Sequence, residues 1–73
     1  MTTAELMNHV VNSECTVEAT LLLGALHATH WLYYGDDNDV LYDEGVDSEE
    51  VETTVSEFVA RYPQGTWEVS TYE

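Results

Sequence analysis

The groups able to do chemistry here are few in kind. The 73-residue chain holds fifteen carboxylates, three histidines and one cysteine. Calcium chelation comes first, because Asp36, Asp37, Asp39, Asp43 and Glu44 crowd a short stretch. An EF-hand loop needs oxygen ligands at alternating positions, a glycine at the sixth and a glutamate at the twelfth. Counted from Asp37, the fifth and sixth positions are Leu41 and Tyr42; counted from Asp36, the fifth is Val40. No register fits, and a solvated acidic turn is the better reading. His27 and His30 are three apart and would share a face on a helix, with His9 as a third ligand. No HExxH and no paired cysteine supports a metal there, so none is expected. Cys15 has no activating histidine placed beside it by the sequence, and a buried or half-buried structural thiol is expected. A hydrolytic carboxylate pair needs a cleft, which a chain of this length scarcely forms. No catalytic residue, no cofactor and no enzymatic activity are expected.

What remains is charge. Residues 34 to 52, YGDDNDVLYDEGVDSEEVE, hold nine acidic side chains and no basic one. The formal net charge is −14, lysine is absent and Arg61 is the one Lys or Arg. Isoleucine is absent too, as in a GC-rich genome, but such a genome would ordinarily supply arginine. Composition bias therefore does not account for the charge. Nucleic acid and anionic membranes would be repelled, because binding them takes Lys and Arg to displace counterions. The expected partner is cationic. Cys15 alone makes no internal disulfide. The start of the chain has no basic leader region, and its longest apolar run, LLLGAL at 21 to 26, is far below the ~20 residues that span a bilayer. A soluble cytoplasmic protein is expected.

The elements that must position these charges read as one α+β domain over residues 1–73. Hydrophobic residues make up 44% of the chain, enough for a modest core. Residues 3 to 12 read as a helix capped by Thr3, with Leu6, Met7 and Val10 on its buried side. Residues 16 to 29 fit two readings. Val17, Leu21, Ala25 and Ala28 follow helical spacing, whereas Thr16, Val17 and Thr20 with a turn at Gly24 suit a hairpin. HWLYY, GDDN and DVLYD read as a β-hairpin. In its first strand Trp31 and Tyr33 point one way, and Leu32 and Tyr34 the other. Either both faces are covered, or one meets a partner; Trp31 and Tyr33 are then candidate interface residues, and a homodimer is one use of them. The spacing next predicts a helix over 47–61, with Asp47 and Glu50 as a capping box, Val46 and Val51 as a hydrophobic staple, and Val51, Val55, Phe58 and Val59 as its apolar stripe. Arg61 falls in its last turn, and Pro63 and Gly65 end it. TWEVSTY closes the chain as a strand with Trp67, Val69 and Thr71 on one face.

Ten of the fifteen acids lie between Asp36 and Glu57. A charge run is commonly a solvated face, but these acids have almost no cation to pair with, and that self-repulsion weakens a small fold. The candidate partner-binding set is Asp36, Asp37, Asp39, Asp43, Glu44, Glu49, Glu50, Glu52 and Glu57, with Glu50 and Glu57 two turns apart on one helical face. In size, charge, missing lysine and the clustered GDDND, YDE and DSEEVE, the chain resembles the small acidic inhibitors of phages and mobile elements. These are anti-CRISPR and anti-restriction proteins that act as DNA mimics. The resemblance is one of composition. It implies a non-enzymatic antagonist that occupies a nucleic-acid-binding surface of a host defence protein, its partner being a basic nucleic-acid-binding protein or complex. The alternative is a small domain of a halophile, in which acids adapt the whole surface to salt and should be spread evenly.

Overall fold

Helix α1 (Thr3–Val11) is followed by strands β1 (Val17–Leu23), β2 (Leu26–Gly35), β3 (Val40–Gly45) and β4 (Val51–Thr53), helix α2 (Val55–Arg61) and strand β5 (Thr66–Thr71). The structure is a computed structural model, and it describes residues 1–35, 38–45 and 49–71. The five strands form one sheet in the order β4-β3-β2-β1-β5, with every neighbouring pair antiparallel. Both helices lie against one face of it. This is the α+β class that the sequence implies.

Residues 16 to 29 take the hairpin. In β1, Val17, Ala19 and Leu21 are buried and alternate with the less buried Glu18, Thr20 and Leu22. The turn into β2 passes through Gly24 at φ +58°, a left-handed conformation that glycine adopts without steric cost. Helical propensity at Leu21, Leu22 and Ala25 is overridden because β1 sits between β2 and β5 and hydrogen-bonds to both. The next hairpin joins Gly35 to Val40 as partners. Its turn includes Asp39 at φ +52°, a conformation aspartate tolerates better than most residues.

Helix α1 matches its expected span within a residue, but Thr2, rather than Thr3, caps it. Thr2 Oγ1 accepts from Glu5 N at 3.2 Å, and Glu5 Oε1 accepts from Thr2 N at 2.8 Å, a reciprocal capping box. That bond from the Thr2 backbone, helped by the Thr2 hydroxyl, holds the Glu5 carboxyl below its ordinary pKa. Thr3 is buried and does something else. Its hydroxyl donates to Tyr62 O at 2.6 Å and accepts from Trp67 Nε1 at 2.9 Å, tying α1 to the end of α2 and to β5.

The expected 47–61 helix is shorter and starts later. Val51–Thr53 pair with β3 as an edge strand, and α2 begins at Val55, capped by Thr54, whose Oγ1 accepts from Glu57 N at 3.1 Å. Four β-branched residues among Val51, Thr53, Thr54 and Val55 favour strand over helix here. The Asp47 cap and Val46 staple lie outside the described residues, and Val51 is 48% exposed on the edge strand rather than on a helical stripe. Phe58 is buried with Val55 and Val59 packed beside it, as the rest of that stripe requires.

The core is the space between the helices and the covered sheet face. Leu6, Met7 and Val10 of α1 and Phe58 of α2 meet Val17, Ala19, Leu21, Leu32, Leu41 and Trp67. Burying a side chain of this size stabilises by roughly 1.5–3 kcal/mol. Phe58 lies with its ring centroid 5.5 Å from Trp67 and 4.9 Å from Tyr62. Gly65 threads past this cluster; a Cβ there would fall 2.8 Å from both Thr3 Oγ1 and Trp67 Nε1. The outer edge of β5 is partly occupied by the first residues of the chain. Met1 exchanges two 2.8 Å hydrogen bonds with the Trp67 backbone, and Thr2 bridges to Thr66. The opposite edge, β4, is three residues long. Short or occupied edges of this kind limit sheet-to-sheet aggregation.

Candidate functional site

The sheet has a second face, and among the described residues no helix or strand packs on it. Strand alternation assigns its residues, since directly opposed partners share a face. Leu32 is fully buried toward the helices, so Trp31 and Tyr33 point the other way. Trp31 is flanked by Glu18 of β1 and Glu44 of β3 as its direct cross-strand partners. One rung on, Tyr33 opposes Tyr42, and Tyr42 opposes Glu52 of β4. On the other side Glu18 opposes Ser70, and Thr20 opposes both Thr29 and Glu68. The open face therefore carries a central aromatic patch with carboxylates on both flanks.

This face is exposed to different degrees. Tyr33 is 44% exposed, Trp31 and Tyr42 are half-buried, and Glu44, Glu52 and Glu68 are exposed. The Tyr33 and Tyr42 rings lie 6.2 Å apart at a 31° tilt. They separate two adjoining clefts. One, of about 500 Å³, is lined by Thr16, Tyr33, Tyr42 and Glu50; the other, of about 460 Å³, also takes in Ser13, Glu14, Tyr34, Gly35 and Asn38. No lysine or arginine lies on the open face: the chain has no lysine, and Arg61 is in the last turn of α2 on the opposite layer.

The candidate acids divide between the layers. Glu44 and Glu52 stand on the open face, and Glu50 borders it at the cleft. Glu49 is exposed just before β4. Asp39 sits at the β2–β3 turn, where Tyr34 Oη donates to Oδ1 at 2.5 Å. Asp36 and Asp37 lie outside the described residues. Asp43 is a correction. It is only 6% exposed on the covered face, with Oδ1 at 2.6 Å from His30 Nδ1, because it opposes the buried Leu32. It is committed to the interior and does not belong to the surface array. Glu57 lies on the helical layer in the first turn of α2, where Oε2 accepts from Thr53 Oγ1 at 3.1 Å. The expected pairing of Glu50 and Glu57 on one helical face does not occur, since Glu50 precedes β4.

Glu18, Glu68 and Tyr42 join the open face without having been singled out from the sequence. The signal was the alternation itself, Val17-in with Glu18-out and Trp67-in with Glu68-out. It becomes readable for β1 only once that segment is known to be a strand.

The other candidate chemistries are separated by the same geometry. His27 opposes Leu22 on the open face, whereas His30 faces the core among Phe58, Tyr62 and Trp67. Residues three apart on a strand lie on opposite faces, so the two histidines share no ligand site. Among the described residues no group of three or more His, Cys, Asp and Glu is placed to hold a metal ion. Cys15 is exposed in the α1–β1 connection, not buried as expected. No helix among the described residues is long and apolar enough to cross a membrane. Comparison with protein-family models, with curated proteins and with solved structures finds no match to this chain.

Proposed function

We propose that the chain is a non-enzymatic, cytoplasmic antagonist that mimics nucleic acid and occupies the basic DNA- or RNA-binding surface of a defence protein. One observation carries the reading: the staggered placement of Glu68, Glu18, Glu44 and Glu52 on the open face. Glu18 and Glu68 are diagonal neighbours on β1 and β5, and Glu44 and Glu52 are diagonal neighbours on β3 and β4. Such diagonals span ~7–8 Å. Successive phosphates along one DNA strand repeat on a scale of ~7 Å, from ~3.4 Å of rise and the step around the axis. The array thus offers negative charge at spacings that the Lys and Arg groups of a nucleic-acid site are already set to meet. It is carried by rigid strands rather than by the helix that the sequence suggests.

The test is competition on a panel of DNA-binding defence effectors, CRISPR complexes and restriction enzymes among them. The protein should displace a labelled duplex from its target, and excess duplex should displace the protein. Steering by this charge makes association fast and strongly salt-sensitive. A ternary complex of effector, duplex and protein would remove mimicry.

A second reading has its own support. Glu5 and Glu57 lie on the helical layer, and Glu14, Asp39 and Glu49 lie in connections, so the acids occupy both layers. That spread favours general adaptation to a saline cytoplasm. Folding that appears only near molar salt would favour it over mimicry.

A further inference from the structure

We infer that the open sheet face binds a basic protein segment by seating arginine guanidinium groups on its aromatic patch, at Trp31 and at the Tyr33–Tyr42 pair, with Glu44, Glu50 and Glu52 closing on each cation. This rests on the reading that the partner is basic, and adds the side chain it is read by. A pure phosphate mimic needs only carboxylates on a polar scaffold. Here the centre of the array is instead aromatic, and among the described residues no helix or strand lies over it. Trp31 stands directly between two glutamates, and the Tyr33–Tyr42 cleft of about 500 Å³ has Glu50 in its wall and Glu52 opposite Tyr42. A cation over an aromatic face is attracted by the ring quadrupole. A guanidinium adds planar stacking and sheds its hydration more readily than an ammonium, so arginine gains more than lysine from such a seat.

Charge selects the occupant. A second copy of the chain laid face to face would set Glu18, Glu44, Glu52 and Glu68 against the same four residues with no Lys or Arg between them. An apolar partner would strip water from the exposed carboxylates of Glu44, Glu52 and Glu68, which is costly. A basic segment satisfies both the aromatic centre and the acidic flanks.

The experiment titrates nona-arginine and nona-lysine peptides into the full chain at moderate salt, by calorimetry and amide NMR. The parent should bind nona-arginine more tightly than nona-lysine, with shifts confined to β1, β2, β3, β4 and Glu50 just before β4. Trp31→Leu should lower nona-arginine affinity about fivefold, the scale of one partly desolvated cation–π contact, while nona-lysine affinity changes little. Trp31→Phe should recover part of the loss. Tyr33→Leu, at an exposed position, gives the same readout should Trp31→Leu fold poorly by circular dichroism. The helical-layer pair Glu5→Gln with Glu57→Gln should leave the arginine preference intact. Equal affinity for the two peptides, or a Trp31→Leu variant that keeps the parent's preference, overturns the aromatic seat and leaves mimicry by charge standing. Binding of neither peptide overturns both. Retained arginine preference in a protein that never competes with duplex removes mimicry and keeps the seat. Sedimentation showing a parent dimer that Trp31→Leu dissolves would give the face to a second copy and overturn the inference.

Discussion

His30 Nδ1 and Asp43 Oδ1 stand 2.6 Å apart on the covered face of the sheet, which takes one carboxylate of the acidic run out of the surface and into the core. The pair sits where β2 and β3 approach α2, with His30 edge-on to Phe58. Asp43 is therefore a structural residue. Asp43→Ala should leave the part-buried His30 Nδ1 without its partner and cost roughly 1–3 kcal/mol, the range for a polar group left unsatisfied. Urea denaturation checks this. Binding to a basic partner, measured under conditions where the variant is folded, should stay within about twofold of the parent, whereas loss of an array carboxylate lowers it further.

Thr3 gives a second stability prediction. Its hydroxyl bonds both Tyr62 O and the Trp67 indole from a position 3% exposed. Thr3→Val keeps the shape and strands the Trp67 indole N–H, at roughly 1–3 kcal/mol, while Tyr62 O still accepts from Gly65 N at 3.3 Å. Gly65→Ala should destabilise through the same cluster, because its Cβ would meet Thr3 Oγ1 and Trp67 Nε1 at 2.8 Å. Near-ultraviolet circular dichroism of the Trp67 environment, with chemical denaturation, measures both.

Much of this core was legible in the sequence, and the reasons differ by element. The buried set of α1 follows from helical spacing at Leu6 and Val10, and the β2–β3 hairpin from aromatic strands around GDDN. Trp67 and Val69 were placed on one face by alternation alone. The 16–29 segment was not decidable locally, because leucine and alanine favour helix while its pairing with both β2 and β5 is a long-range fact. The helix expected over 47–61 starts only at Val55 for a related reason. Asp47 and Glu50 have the spacing of a capping box, but β-branched Val51 and Thr53 add an edge strand to β3, and Thr54 becomes the cap instead. The candidate site suffered most, since a run of acids reads as one cluster, yet period-two alternation sends Asp43 inward and Glu44 outward.

Acid should act on α1 through Glu5. Its folded-state carboxyl lies below the ordinary 4.5, the bond from the Thr2 backbone being the main cause. A lowered folded value means the contribution is present above about pH 4.5 and is lost as pH falls through the folded value. The stability difference between the parent and Glu5→Gln should shrink over that window, as Glu5 protonates. Thermal denaturation of both from pH 6 to pH 3 tests it; a difference that grows toward acid would contradict the capping box as the cause.

At a formal charge of −14 the native state repels itself. The ten fully or nearly buried core residues and the paired sheet should nonetheless hold the fold at ordinary ionic strength. A salt titration by circular dichroism should show native signal near 0.1 M, where screening acts over ~10 Å, with the midpoint of thermal unfolding rising as salt is added.

Mimicry through the open face is tested most directly by duplex displacement from a responsive effector, with two charge-reversed proteins side by side. Glu44→Lys with Glu52→Lys reverses the open face, and Glu5→Lys with Glu57→Lys reverses the helical layer by the same amount. The first should lose displacement at all accessible concentrations, while the second should keep it within a few-fold. Equal losses in the two, or displacement unaffected by reversal of Glu44 and Glu52, would contradict mimicry through the open face.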